Sequence, residues 1–396
     1  MEFFSPNAAS PDFISHCRAL YRRTLLDDVV PFWLRHGVDR AHGGIGNILD
    51  DQGNSLGNDK YIWSQGRALW TFSALYNRVA PEAQWLEVAT HVFSYLRRHG
   101  RDDQGRWVFR LDGACKVLDG PISIYADAFA LAGLTEYYAA TGDFNARTMA
   151  LETFENTSAR IASPGSYGVS PYEIPHGLKT HGVNMVFALF YFELGRVLEL
   201  QSAQARAIAL AEEILDHFYV AKYDAIVEFV DLDGRPADSP EGRACVPGHA
   251  IEALWFLLYI FEQVDQPERL ALCRRLIKRH IELAWDVTYG GLVLALDIEG
   301  RQPPYWKNAD YKPWWVQVEA LVATAYAYVQ SREDWCLQWH RRVQIFAFKH
   351  YPVATGEWTP WVDQQGRRMS NAVLPVKDPF HLPRALMQLL GLLDRV

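Results

Sequence analysis

Apolar residues recur along this chain with helical spacing, in blocks of two kinds. The blocks at 63–79, 122–141, 182–200, 248–264, 313–331 and 381–394 are apolar on more than one face. A helix reads this way when neighbours cover it on several sides. The blocks at 10–36, 84–99, 144–162, 203–221, 267–285 and 333–350 are more charged, as in "QARAIALAEEILDHFY" and "PERLALCRRLIKRHIELA". These predict helices with one face in water.

Short β-type runs ending in turn residues separate the pairs: "GIGNILDDQGNS", "WVFRLDGACK", "IVEFVDLDGRP", "LVLALDIEGRQ" and "WTPWVDQQGRR". Each reads as a hairpin. Their turn glycines, Gly53, Gly113, Gly234, Gly300 and Gly366, stand 60, 121, 66 and 66 residues apart, so one interval is double and the unit is 60 to 66 residues. The missing hairpin falls in the loop-like "SPGSYGVSPYEIPHG", residues 163–177. Six units of two helices predict an all-α (α/α)6 barrel, twelve helices with short β-hairpins in the connections, as a single domain over 1–396. An open α-solenoid would use the same local units, but it needs capping repeats and none is visible.

Net charge is −8 with no basic run, which argues against nucleic acid and anionic membrane surfaces as partners. No apolar run is long enough to span a bilayer, and "MEFFSPNAAS" lacks the order of a signal peptide. Cys17, Cys115, Cys245, Cys273 and Cys336 show neither CxxC nor metal-type spacing. Together these predict a soluble cytoplasmic protein without a disulfide framework. HExxH, GxGxxG, GxxxxGK[ST] and GxSxG patterns are all absent, so the sequence offers no metal site, nucleotide cradle or serine nucleophile.

The informative residues are polar exceptions in the first turns of the apolar helices: Arg67, Tyr125, Asp127, Asn184, His249, Glu252, Glu319, His381 and Arg384. If the inner helices all start at one end, these converge on one mouth. His249 and His381 lie two repeats apart, on helices 8 and 12, and are expected to approach across the lumen as two bases flanking one carbon. Glu252 is the expected partner that fixes the His249 tautomer, and Glu319 serves His381 likewise. Both carboxylates could equally be a glycosidase pair. Arg67 would bind an anion or oxygen-rich ligand, or pair with Glu319 or Glu252. His176 and His181 read as surface residues beside a loop.

The ordered motifs "KYIWSQGRALW", "SIYADAFA", "PGHAIEALWFLL", "YGGLVLALDIEG", "KPWWVQVEAL" and "FHLPRAL" resemble those of the N-acylglucosamine 2-epimerase family across nearly the whole chain. The resemblance implies an (α/α)6 barrel that epimerises or isomerises free sugars at C2, with no redox cofactor or required metal. It makes His249 and His381 the acid/base pair and places Arg67, Tyr125, Asn184, Glu252, Trp315, Glu319, Lys377 and Arg384 around the sugar. It leaves room for a homodimer and, as in some relatives, a nucleotide effector. Val186 stands where isomerases and cellobiose epimerases carry a third histidine, and "FHLPRAL" is similar to the acylglucosamine branch. "RACVPGH" and "VQVEAL" depart from that branch, so an aldose–ketose isomerase or an epimerase of mannose/glucose-type sugars is the alternative. A glycoside hydrolase and a non-catalytic sugar-binding protein are the readings from other classes. The chemistry suits the residues: once the ring opens, C2–H is acidic next to the aldehyde, one imidazole removes the proton, the other returns one to the opposite face, and Arg67 stabilises the oxyanion.

Overall fold

A computed structural model describes residues 11–163, 165–369 and 376–396. Residue 10 of the first expected helix and Pro164 of the expected loop lie outside these. The helices are α1 (Pro11–Arg23, running on in wider turns to Gly37), α2 (Ile62–Arg78), α3 (Ala83–His99), α4 (Ile124–Thr141), α5 (Phe144–Ile161) and α6 (His181–Val197). They continue as α7 (Gln201–Glu213, extended to Phe218), α8 (Pro247–Gln263), α9 (Pro267–Ala284), α10 (Trp314–Ser331), α11 (Asp334–His350) and α12 (His381–Leu393). Local chemistry sets several ends. The Asp143 side chain accepts from Ala146 N at the start of α5, Thr180 caps α6, prolines open α8 and α9, and left-handed Gly142 stops α4.

The even-numbered helices pack in sequence, α2 on α4, α4 on α6, and so on to α12, which returns to α2. The ring is therefore closed, which periodicity alone left undecided. Each odd helix lies outside the inner helix that precedes it, and α1 covers α12. On α4 every residue from Ala126 to Tyr137 is buried, whereas α9 buries only Cys273, Leu276, Ile277, His280, Ile281 and Ala284. This is the difference expected between a helix with neighbours on all sides and one with a single apolar face.

The contact between α2 and α4 is made backbone to backbone. A Cβ on Gly66 would lie 2.4 Å from the Phe129 carbonyl oxygen, and one on Gly133 would lie 2.5 Å from the Gly66 carbonyl oxygen. Gly66→Ala is therefore expected to force the helices apart and to destabilise the fold by about 1–3 kcal/mol, measurable as a lowered denaturation midpoint. An unchanged midpoint would mean that the contact relaxes freely.

The strands differ from the hairpins expected. Most pair between units: Lys60–Tyr61 with Arg110–Leu111, Leu178–Thr180 with Phe229–Asp231, Ala244–Cys245 with Leu296–Asp297, and Lys312–Pro313 with Trp361–Val362. Each strand just before an inner helix is thus tied to the loop of the next unit. The turns are Asx turns in which an aspartate, such as Asp50, Asp297 or Asp363, accepts backbone N–H groups and a left-handed glycine follows three residues later. Gly113 is not that residue in its turn. Cys115, at φ 65°, holds the left-handed position three residues after Asp112.

Buried lysines and glutamines repeat the same joint at two places. Lys60 donates to Asp39 and to the Gly43 carbonyl, and Lys312 donates to Asp286 and to the Gln364 carbonyl. The Gln65 amide clamps both backbone groups of Ile45, and the Gln317 amide those of Leu292. These joints fix where α2 and α10 begin, and hence the height of Arg67 and Glu319 in the lumen.

Candidate active site

All six inner helices start at the same mouth, so the first-turn polar residues other than Asp127 converge there. Arg67, Glu252, Glu319 and Arg384 stand at equivalent steps of α2, α8, α10 and α12, each followed by Ala-Leu. Arg384 Nη2 donates to Glu319 Oε1 at 2.7 Å and also to Glu252 Oε1. Trp255 Nε1 reaches Glu319 Oε2 at 2.9 Å. The guanidinium of Arg384 lies over the Phe380 ring, and that of Arg67 over Phe129.

His381 opens α12 and places Nδ1 2.8 Å from Glu319 Oε1, as anticipated. His249 is partnered differently: its Nδ1 lies 3.1 Å from Oε2 of Glu228, a residue of the loop before the strand Phe229–Asp231. Glu252, expected there, is engaged by Arg384 instead. In both histidines the Nδ1 bond leaves Nε2 for the lumen. The indole of Trp315 lies against both imidazoles, with ring centroids at 5.2 Å from His249 and 5.8 Å from His381. Helices α8 and α12 are separated in the ring by α10 alone. The two bases therefore flank Trp315 along one arc of the wall and do not face each other across the full lumen.

Their electrostatics differ. Burial pulls His249 down, but the Glu228 carboxylate outweighs it, helped by Glu252, and the imidazole ends above its ordinary value. Burial pushes His381 down to about 3; Glu252 and Asp378 oppose the shift, and Arg67 and Arg384 reinforce it. The Glu319 oxygen beside His381 also accepts from Arg384. Burial would raise Glu228, yet His249 and His181 hold it well below the carboxylate range. Of the two imidazoles, His249 is thus the one that holds a proton more readily.

Arg67 Nη1 pairs with Asp378 Oδ2 at 3.0 Å, not with Glu252 or Glu319, and its Nε is buried with no partner. Trp63 Nε1, Asn184 Nδ2 and Arg384 Nε are likewise buried and unsatisfied. Unpaired buried donors are costly, so a group of them around one lumen suits a ligand rich in hydroxyl and carbonyl oxygens. The Tyr125 hydroxyl lies over Gly182 at the start of α6, and its phenol faces Glu228 and Glu252. Tyr172, in the loop spanning 165–177, faces Arg67, Asp378 and Glu228.

Two expected residues sit elsewhere. Asp127 turns outward to Arg160 on α5 at 2.9 Å. The Lys377 ammonium is held by Asp51 and the Trp358 carbonyl, at 2.9 and 3.0 Å. His181 corrects a further expectation: it is 1% exposed, with Nε2 3.4 Å from Glu228 Oε2, whereas His176 is exposed. The signal for Glu228 lies in "IVEFV", where one carboxylate interrupts an apolar strand outside the helices.

Ligand atoms of Glu252, Glu319 and His381 lie within 4.8 Å of one another, a grouping that local sequence spacing hides because three helices supply it. The Arg384 guanidinium already bridges both carboxylates, so a cation there would have to displace it. This donor set fits an internal ion pair better than a metal centre.

The family described as N-acylglucosamine 2-epimerase (GlcNAc 2-epimerase) matches residues 43–385. Human N-acylglucosamine 2-epimerase is 27% identical over 91% of this chain and 86% of its own length. Cellobiose 2-epimerase of Ruminococcus albus is 25% identical over 93% of this chain and 97% of its own. The structure of cellobiose 2-epimerase from Spirochaeta thermophila superposes with a TM-score of 0.83 over 97% of this chain and 98% of that one, at 22% identity, and shares the fold.

Proposed function

The chain belongs to the N-acylglucosamine 2-epimerase family, and from that membership and the two imidazoles flanking Trp315 we propose that it inverts C2 of a free 2-acylamido sugar, interconverting N-acylglucosamine and N-acylmannosamine. It is a carbohydrate epimerase, an isomerase-class enzyme. The observation that carries the reading is the pairing of each lumen-facing histidine with its own carboxylate, Glu228 for His249 and Glu319 for His381.

In the open-chain sugar, the neutral Nε2 of His381 takes the C2 proton, electrons move into an enolate at O1, and the proton on His249 is delivered to the other face of C2. The reverse direction exchanges the roles. Both productive forms hold one proton between two imidazoles, so both directions share one bell-shaped pH profile. Its acid limb reports protonation of His381 and its alkaline limb loss of the proton from His249. The free N–H groups of Arg67, Asn184 and Trp63 are the donors for the enolate and hydroxyl oxygens. Each step moves a proton, so the chemistry requires neither metal nor redox cofactor.

A glycoside hydrolase would need one of Glu252 and Glu319 as a protonated acid. Both instead accept from the same Arg384 nitrogen, so neither is free to serve as a proton donor to a glycosidic oxygen. Among the described residues no helix is long and apolar enough to cross a membrane, and five free thiols suit a reducing cytoplasm.

The test is incubation with N-acetylmannosamine, mannose and glucose in deuterated water, with and without EDTA, followed by NMR. Deuterium should appear at C2 of both acylated epimers, and EDTA should leave the rate unchanged. Exchange in mannose and glucose alone would move the substrate to unacylated aldoses. Loss with EDTA and recovery with one divalent ion would overturn the metal-free reading.

A further inference from the structure

Glu228 belongs to neither histidine-bearing helix, yet its carboxylate is the most heavily engaged anion near His249. Oε1 accepts from the Thr180 hydroxyl at 3.0 Å and lies 3.3 Å from His249 Nδ1. Oε2 lies 3.1 Å from His249 Nδ1 and 3.4 Å from His181 Nε2. Its backbone is pinned on both sides: the N–H donates to the Ala244 carbonyl at 2.8 Å, and the carbonyl accepts from His181 N at 3.3 Å. Strands leading into α6 and α8 therefore hold one buried carboxylate between the first turns of these two helices.

We propose that Glu228 is the positioning residue that decides where the active-site proton rests. With a single negative charge against His249, it keeps the shared proton on that imidazole in the free enzyme and leaves His381 as the neutral base. This rests on the two-histidine reading above. The charges differ in how far they are already spent. The carboxylate beside His381 also carries Arg384, so it has little attraction left for an imidazolium. Among the described residues no guanidinium or ammonium is paired with Glu228, so apart from the Thr180 hydroxyl its charge is shared between the two imidazoles. Of these two, His249 is closer and reaches the lumen, whereas His181 is enclosed.

The other titratable groups around this unit are consistent with the assignment. Glu252, on α8 itself, adds a negative field at His249 but is bound to Arg384. Tyr125 from α4 and Cys245 at the entry to α8 also face Glu228, and burial pushes both up, so they remain uncharged; the half-exposed Tyr172, from the loop before α6, is likewise raised. Trp315 from α10 closes the remaining side of His249 with an aromatic face.

The experiment is a pair of pH profiles of kcat/KM, one per direction, for the wild type, Glu228→Gln and Glu228→Asp. It is accompanied by NMR titration of 13C-labelled histidines, with the His249 signal assigned through His249→Asn. In the wild type His249 should titrate above 6.5. In Glu228→Gln both its titration and the alkaline limb should move down by at least one unit, a loss of about tenfold in kcat/KM at pH 8 per unit moved. Glu228→Asp, which keeps the charge, should retain most of the wild-type limb. A wild-type His249 titrating at or below 6.5 overturns the proposal whatever the variants do. So does a folded Glu228→Gln that is slower by the same factor at every pH, since that is the behaviour of a merely structural residue. Failure of the underlying reading would look different: His249→Asn would keep its turnover.

Discussion

His249→Asn and His381→Asn should each abolish net epimerisation, lowering kcat by about 10²–10⁴, the range that one positioned acid/base group supplies. Neither should unfold the protein. His249 is 29% exposed and His381 11%, both toward the lumen, and asparagine can still donate to Glu228 or Glu319. The partial reaction is more discriminating than the rate. The remaining imidazole can still exchange the C2 hydrogen of the one epimer whose proton points at it. In deuterated water the two variants should therefore label opposite epimers. Because His381 is the base in the resting state, His249→Asn should exchange its epimer down to lower pH than His381→Asn exchanges the other. NMR of the recovered sugars reads both results. Labelling of the same epimer by both variants would sink the two-base mechanism in favour of a single base.

Arg384→Met should be the most damaging replacement for stability, at about 3–5 kcal/mol. Arg384 is 3% exposed in its side chain, Glu252 6% and Glu319 0%, so the three groups form a triad out of water. Methionine fills most of the volume over Phe380 and Trp255 but leaves two carboxylates close together with no cation between them. Denaturant unfolding reads the loss. Adding Glu252→Gln and Glu319→Gln to Arg384→Met should restore a substantial part of it, because the penalty lies in the stranded charges. If the triple variant is no more stable than Arg384→Met, packing and not charge explains the loss.

The architecture was legible because each helix announces itself through a repeated local pattern: six all-round apolar helices, six one-faced ones, and turns at near-constant spacing. Pairing of the strands was not, since a two-residue strand carries almost no side-chain code and its partner is chosen by the packing of the helices behind it. The same division runs through the site. His249, His381, Glu319 and Arg384 were visible as polar residues on apolar helices, and the His381–Glu319 contact followed from register. The partners of His249 and Arg67 were not, because Glu228 and Asp378 lie in connections, and the reach of a connection toward the lumen depends on joints such as Lys60 with Asp39. His181 was misplaced for a related reason: its helix starts one residue earlier than the pattern 182–200 shows, so it belongs to the first turn and not to the loop.

The helix that closes the inner ring, α12, follows the other five inner helices in sequence and carries both His381 and Arg384. Synthesis makes it after them, so until it emerges α2 and α10 present bare apolar flanks, and Glu319 and Glu252 lack their cation. Enzymatic competence then arrives at once, when α12 slides between α2 and α10. A transcript cut short ahead of α12 would yield no weakened enzyme, only an open and adhesive arc for quality control to remove.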